Sequence, residues 1–264
     1  FGGNIGATTA LSDVTVNSSA GTGAITFSGN VGADATTVGA AVVTVGNSDT
    51  ASITFAGVEF TTSGAQTFTA DAYSITGADS TFGSSNDNIT FADGGADGGI
   101  TLADIADLTI TTEIGGSGGG NIAVNVPIAG TSGDGDDATD VTMTAGSGTI
   151  TVEDITTDIN DVLLTSTGGI SLDGSITTAV DSDETGATSG VVTLTGPVTL
   201  AGNTTIDTDS TSNNGAVTFT STVDGAKTLT ITSGSGAVQF GGNIGATTAL
   251  SDVTVNSSAG TGAI

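Results

Sequence analysis

The chain has no cysteine, no histidine, no tryptophan and no arginine, and its single lysine is Lys227. Each absence removes a class of chemistry. Without His or Cys there is no Ser-His-Asp or Cys-His nucleophile pair and no imidazole or thiolate metal site; without Arg there is no bidentate clamp for phosphate. Nucleic acid is excluded as a partner on the same ground, because its affinity comes mainly from Lys and Arg neutralising phosphates. No disulfide can form, so cysteine usage does not indicate a redox compartment. A hydrolase built on paired carboxylates survives this filter, but nothing in the pattern supports one.

Aromatics are scarce at 4%, and one basic residue faces 28 acids for a net charge of −27. High charge with few large apolar residues is the signature of chains that cannot bury enough surface to offset ordering entropy. Here mean hydropathy is +0.26, and the apolar residues alternate with polar ones, which argues for ordered strands. No apolar run approaches the ~20 residues of a membrane helix, so this segment is not expected to insert into a membrane. No signal-peptide pattern opens the chain.

What the chain does have is glycine, 43 residues of it, and repetition. The stretch FGGNIGATTALSDVTVNSSAGTGAI fills Phe1 to Ile25 and recurs without change from Phe240 to Ile264. Identity through Ser, Asn and Thr, which no core-packing rule holds fixed, points to tandem duplication. Subtracting the two starting positions gives a unit of 239 residues. The expected organisation is one unit over 1–239 and the start of an identical unit over 240–264, a window on a longer array in which neither end is a natural terminus.

Inside the unit a pentad, Gly-x-apolar-x-apolar, recurs. It reads GAITF at 23, ASITF at 51, GGITL at 98, GNIAV at 120, GTITV at 148, GGISL at 168, GVVTL at 190, GAVTF at 215 and GAVQF at 236, with a looser DAYSI at 71. With the returning GAI at 262, ten steps cover the 239 residues, about 24 residues each. Alternation makes each pentad a strand with one buried face. A second alternating run follows in many steps, as DVTV at 13, DLTI at 107, DVTM at 140, DVLL at 161 and TLTI at 228. Each step thus reads as about three short strands joined by Gly, Asn, Asp and Ser turns.

Three strands per coil, the same strand returning in each, describe an all-β parallel β-solenoid, or β-helix, of about ten coils per unit. Stacking the pentads in order predicts inner columns of like residues, beginning Ile25, Ile53, Tyr73, Ile100, Ile122 and Ile150. At ~4.8 Å per coil a ten-coil unit extends the rod by roughly 48 Å. An antiparallel sandwich array is the alternative, and it would need two-residue hairpin signals that are sparse here.

The segment Gly215 to Gly260, continued in the first copy through Gly32, contains G-A-V-T-F, then T-V-D-G-A, then T-L-T-I. This style of repeat resembles giant filamentous-haemagglutinin-like surface proteins of bacteria. The resemblance implies a right-handed parallel β-helix, secretion, an extracellular or cell-surface location, and a role in adhesion, aggregation or fibre formation. It carries no catalytic residues.

Three acidic inserts stand out: GTSGDGDDATD at 130–140, DSDETGATS at 181–189 and DTDSTSNN at 207–214. Similar distances to the following pentad place all three at one corner, as an acidic ridge. Clustered carboxylates and turn carbonyls suit Ca²⁺, a hard cation taking six to eight oxygens. The candidate ligands are Asp134, Asp136, Asp137 and Asp140, then Asp181, Asp183 and Glu184, then Asp207 and Asp209. The competing reading is a set of solvated loops that keep the protein soluble. No other cofactor is expected.

Three functions compete on these grounds. A structural segment of a long extracellular fibre or adhesin stalk, whose partners are further copies of its own repeat in tandem and side by side, accounts for most features. A binding module would use the acidic loops or outward Thr rows to hold glycan, a surface, ice or another cell, with Ca²⁺. A polysaccharide-degrading enzyme on the same scaffold ranks last, because such sites use basic or paired acidic residues.

Overall fold

The computed structural model describes residues 1–17, 23–32, 38–77, 79–95, 98–103, 106–115, 118–131, 139–178, 190–209 and 214–256. Among them there is no α-helix; every named element is a β-strand. The strands stack in parallel as a β-solenoid, the expected architecture, and the between-coil pairings sort them onto three faces.

Face I comprises Glu59–Thr62, Ser80–Ser84, Leu108–Thr111, Val141–Gly146, Val162–Ser166, Val192–Thr195, Val217–Phe219 and Val238–Phe240. Face II comprises Leu11–Val16, Ala40–Gly46, Gln66–Ala70, Ile89–Asp93, Ile122–Asn125, Ile150–Val152, Ile170–Leu172, Val198–Leu200 and Val223–Asp224. These two faces join into one 17-stranded sheet, touching directly where Ala40 pairs with Thr62. Face III is a separate ten-stranded sheet running from Gly23–Phe27 to Asp252–Asn256. The chain visits I, II and III in turn and then begins the next coil.

Parallel pairing in register fixes what each side chain meets. Along face III one inward column reads Ile25, Ile53, Tyr73, Ile100, Ile128, Ile155, Ile176, Ile206, Ile231 and Val255. Side chains of one shape stacked ~4.8 Å apart fill a narrow core without gaps. Outward positions carry Thr, as in Thr15, Thr44, Thr67 and Thr90 on four consecutive coils of face II. Such pairs suit a pleated surface and add a few tenths of a kcal/mol, up to about 1, per pair.

The pentads form strands, but not one column. Those at 23, 51, 71 and 98 lie on face III, those at 120, 148 and 168 on face II, and those at 190, 215 and 236 on face I. Ile100 therefore stacks under Ile128, and Ile122 pairs instead with Ile89 and Ile150. The second run is scattered likewise: DVTV at 13 is on face II, DLTI, DVTM and DVLL on face I, and TLTI on face III.

The reason lies in the corners. Gly120, Gly148 and Gly168 turn the chain from face I to face II, and a Cβ at Gly148 would run into the carbonyl of Gly120. Gly190, Gly215 and Gly236 turn it from face III to face I; Gly215 and Gly236 lie under the same close approach of a glycine carbonyl, whereas a Cβ at Gly190 would meet the Thr178 side chain. At both corners buried hydroxyls donate to glycine carbonyls. Thr112 donates to Gly120 at 2.9 Å, Ser166 to Gly148 at 2.5 Å, Thr178 to Gly190 at 2.6 Å and Thr208 to Gly215 at 2.8 Å. A pentad therefore specifies a corner followed by a strand, and it occurs after all three corners, those at 23 and 98 entering face III.

Candidate functional site

Of the nine candidate cation ligands, Asp140, Asp207 and Asp209 belong to the described residues; Asp134, Asp136, Asp137, Asp181, Asp183 and Glu184 lie outside them. The described stems of all three inserts run from face III to face I: Ile128–Gly130 to Val141–Gly146, Ile176–Thr177 to Val192–Thr195, and Thr204–Asp207 to Val217–Phe219. One corner thus carries all three, as the spacing predicted.

Asp140 has a definite task at that corner. Its carboxylate accepts the backbone N–H of Asp161 at 3.0 Å and the side-chain amide of Asn160 at 3.1 Å. Its own N–H donates to the carboxylate of Asp107 at 2.8 Å, and the Asp161 carboxylate accepts the N–H of Val191 at 2.7 Å. Asp107, Asp140 and Asp161 are thus rungs of a ladder in which each carboxylate holds the next coil's backbone. Asp107–Asp140–Asp161 opens the tetrads DLTI, DVTM and DVLL, so the repeated Asp before an alternating run was the available signal for this ladder.

Stacking like charges one coil apart has a cost. The Asp161 carboxyl is pushed above the usual carboxylate range by burial, with the charge of Asp140 adding to it and the Val191 N–H opposing. Asp207 and Asp209 stand apart from this ladder, at a later coil. There the Asp207 carboxylate accepts the N–H of Asp209 at 3.0 Å, an Asx turn that starts the third insert.

A second acidic corner, where face II passes to face III, has no counterpart among the acidic inserts. A shallow open groove of about 250 Å³ is lined there by Asp93, Gly98, Asn125, Val126, Pro127 and Glu153. Burial, followed by the charges of Asp173, Asp154 and Asp93, raises the Glu153 carboxyl. Asp154 is a rung, its carboxylate accepting the N–H of Ser175 at 2.6 Å. Asp93, the Glu153–Asp154 pair and Asp173 come from three separate strand ends, so no single run of sequence announces this corner.

Among the described residues no group of three or more Asp, Glu, His or Cys is arranged to hold a metal ion. The only tyrosine, Tyr73, is buried; its hydroxyl accepts the N–H of Ala70 at 3.0 Å and faces the carbonyls of Phe68 at 2.9 Å and Ala92 at 2.6 Å. Among the described residues no helix is long and apolar enough to cross a membrane. Set against protein-family models, curated proteins and solved structures, the chain finds no match in any of the three comparisons.

Proposed function

We propose that this chain is a structural segment of a long β-solenoid rod, built from tandem 239-residue units and serving outside the cell as a fibre or adhesin stalk. The observation that carries the reading is continuity. Within the described part of the repeated segment, the strand Asp252–Asn256 adds to Thr228–Thr232 in register and extends the stack. Each coil rests on its neighbours alone, so a unit can be multiplied without redesigning the core. The extracellular location follows from the resemblance to filamentous surface proteins.

The partners in this reading are further copies of the same repeat. The function needs no catalytic group. Ca²⁺ held by the acidic inserts belongs to the same proposal as an accessory, since loops rich in carboxylates suit its flexible coordination.

Electron microscopy and diffraction of a chain carrying several units test it. The expected result is straight filaments with a meridional spacing near ~4.8 Å. Compact particles or beads on a string would overturn the rod. For the cation, Ca²⁺ titrated into metal-stripped protein should release or absorb heat and raise the melting temperature; absence of both would remove Ca²⁺ from the proposal.

A further inference from the structure

The two copies of the 25-residue segment do not occupy equivalent places. In the first copy, Phe1 lies on face III: its amino group donates to the Thr26 carbonyl at 2.7 Å, and its ring stacks on Phe27 at 4.9 Å. Ile5 then bridges Val31, which bridges Phe60 on face I, and Leu11–Val16 pairs with Ala40–Gly46 on face II. The order of faces is III, I, II. In the second copy, Phe240 pairs with Phe219 on face I, Ile244 bridges Val223 on face II, and Asp252–Asn256 pairs with Thr228–Thr232 on face III. The order is I, II, III. Three separate landmarks have moved by one face in the same sense.

The advance can be counted. From Leu11–Val16 the chain goes one face onward to Gly23–Phe27, and from there the ten-stranded sheet takes nine steps to Asp252–Asn256, the equivalent strand of the second copy. We infer that a 239-residue unit advances the solenoid by nine coils and one face, so that successive units are turned by one face and like side chains return to the same side of the rod only at every third unit.

This inference rests on the tandem reading above and adds its rotational phase. The unit length becomes about 45 Å, and the distance between equivalent sites on one side about 135 Å, at ~4.8 Å per coil. A partner lying along one side of the rod would meet a different face of each successive unit. The acidic corner that carries the inserts would follow all three edges in turn.

The physics permits such a slip because a parallel ladder reads alternation, not the identity of a face. A slip of one residue would turn every apolar side chain outward. A slip of one face keeps the parity: Val14 and Val16 align with the buried Val43 and Val45, and Val253 and Val255 align with the buried Leu229 and Ile231, although Val253 itself, on the last described strand, is 39% exposed. The corners tolerate it because two of the three share the same glycine and hydroxyl chemistry.

Cysteine cross-linking tests the phase in this chain, which has no native Cys to interfere. On face III Thr254 pairs with Thr230. Had the second copy kept the face of the first, Thr254 would continue the face II column that Thr15 begins, which ends at Asp224. Under mild oxidation Thr230→Cys with Thr254→Cys should form a disulfide in most molecules, and Asp224→Cys with Thr254→Cys should not; Thr228→Cys with Asp252→Cys gives an independent pair on face III. Cross-linking through Asp224, or failure of both face III pairs, overturns the inference and leaves the rod standing. In filaments of at least three units, a rung count of nine coils and one face between identical segments supports it. A whole number of coils overturns it. The absence of filaments would overturn the rod itself, and the phase with it.

Discussion

The solenoid has two kinds of core. Between Phe27 and Phe91 the interior holds Phe27, Phe55, Phe60, Phe68, Phe82, Phe91 and Tyr73, and from there to Phe219 it holds no aromatic side chain. Phe55 shows what rings do. It projects from face III and meets Phe60 and Phe82 of face I and Phe68 and Phe91 of face II, with centroids 4.9 to 6.5 Å apart and planes near perpendicular. A ring reaches across the section and couples all three faces over several coils. In the aliphatic region the contacts defined by pairing run along the axis, as in Ile122, Ile150, Ile170 and Val198 on face II. Both regions stack lengthwise, as Phe60 on Phe82 and Phe68 on Phe91 also show, and the aromatic coils add crosswise ring contacts to that stacking.

Truncating the two cores should expose that difference most strongly. Phe55→Ala is expected to cost about 3–5 kcal/mol, and Ile150→Ala about 2–4 kcal/mol, by lost transfer energy and residual cavity. Hydrogen exchange should rise on all three faces around Phe55, yet stay near the flanking coils for Ile150. Equal spread for both variants would break the comparison. A cycle pairing Phe55→Ala with Phe82→Ala should give a coupling of about 0.5–1.5 kcal/mol, the range for aromatic contacts; strict additivity would show that the rings merely fill space.

A smaller effect tests how polar groups serve the aromatic coils. Tyr73→Phe keeps the ring against Phe91 but leaves the buried Ala70 N–H without its acceptor, at about 1–3 kcal/mol. Burial also pushes the Tyr73 phenol far up, so its hydroxyl should show no absorbance change on alkaline titration until the fold is lost. Titration of the folded protein at the usual phenol pH would contradict this burial.

The smallest effects belong to the aliphatic region, where the Asp ladder lies. Asp161 and Glu153 have folded pKa values raised above the ordinary ~4 of a carboxyl. The folded state therefore binds more protons than the unfolded one just above that value, and stability falls as pH rises through the window. The melting temperature should accordingly be higher near pH ~4.5 than near pH ~7. Asp161→Asn keeps an acceptor for the Val191 N–H and removes a like charge beside Asp140, so it should gain roughly 0.2–1 kcal/mol at neutral pH and reduce that pH dependence. A melting temperature that falls steadily over the same interval on acidification would place the dominant carboxylates elsewhere.

Much of this was legible in the residues. Alternation in GTITV and GGISL identifies inward and outward positions, because strand side chains alternate whatever the sheet does. The spacing of the inserts at 130, 181 and 207 placed their stems at one corner correctly. The roles of the acids were not legible to the same degree: Asp140, a candidate cation ligand, is a rung tied to Asn160 and Asp161, and the acids of the second corner converge from separate strands. Pairing across coils decides both, and those partners stand about 20 to 30 residues apart in the chain.

By itself the sequence determined that the chain is all-β, that it stacks in parallel, that its opening segment returns after 239 residues and that it is polyanionic. Only the tertiary structure decided which face each strand occupies. The Gly-x-apolar-x-apolar pentad encodes a corner and a strand in purely local terms, and three nearly interchangeable faces accept it. Closing the coil around a shared core is what assigns the face, which is how one 25-residue sequence comes to lie on two different sets of faces in a single chain.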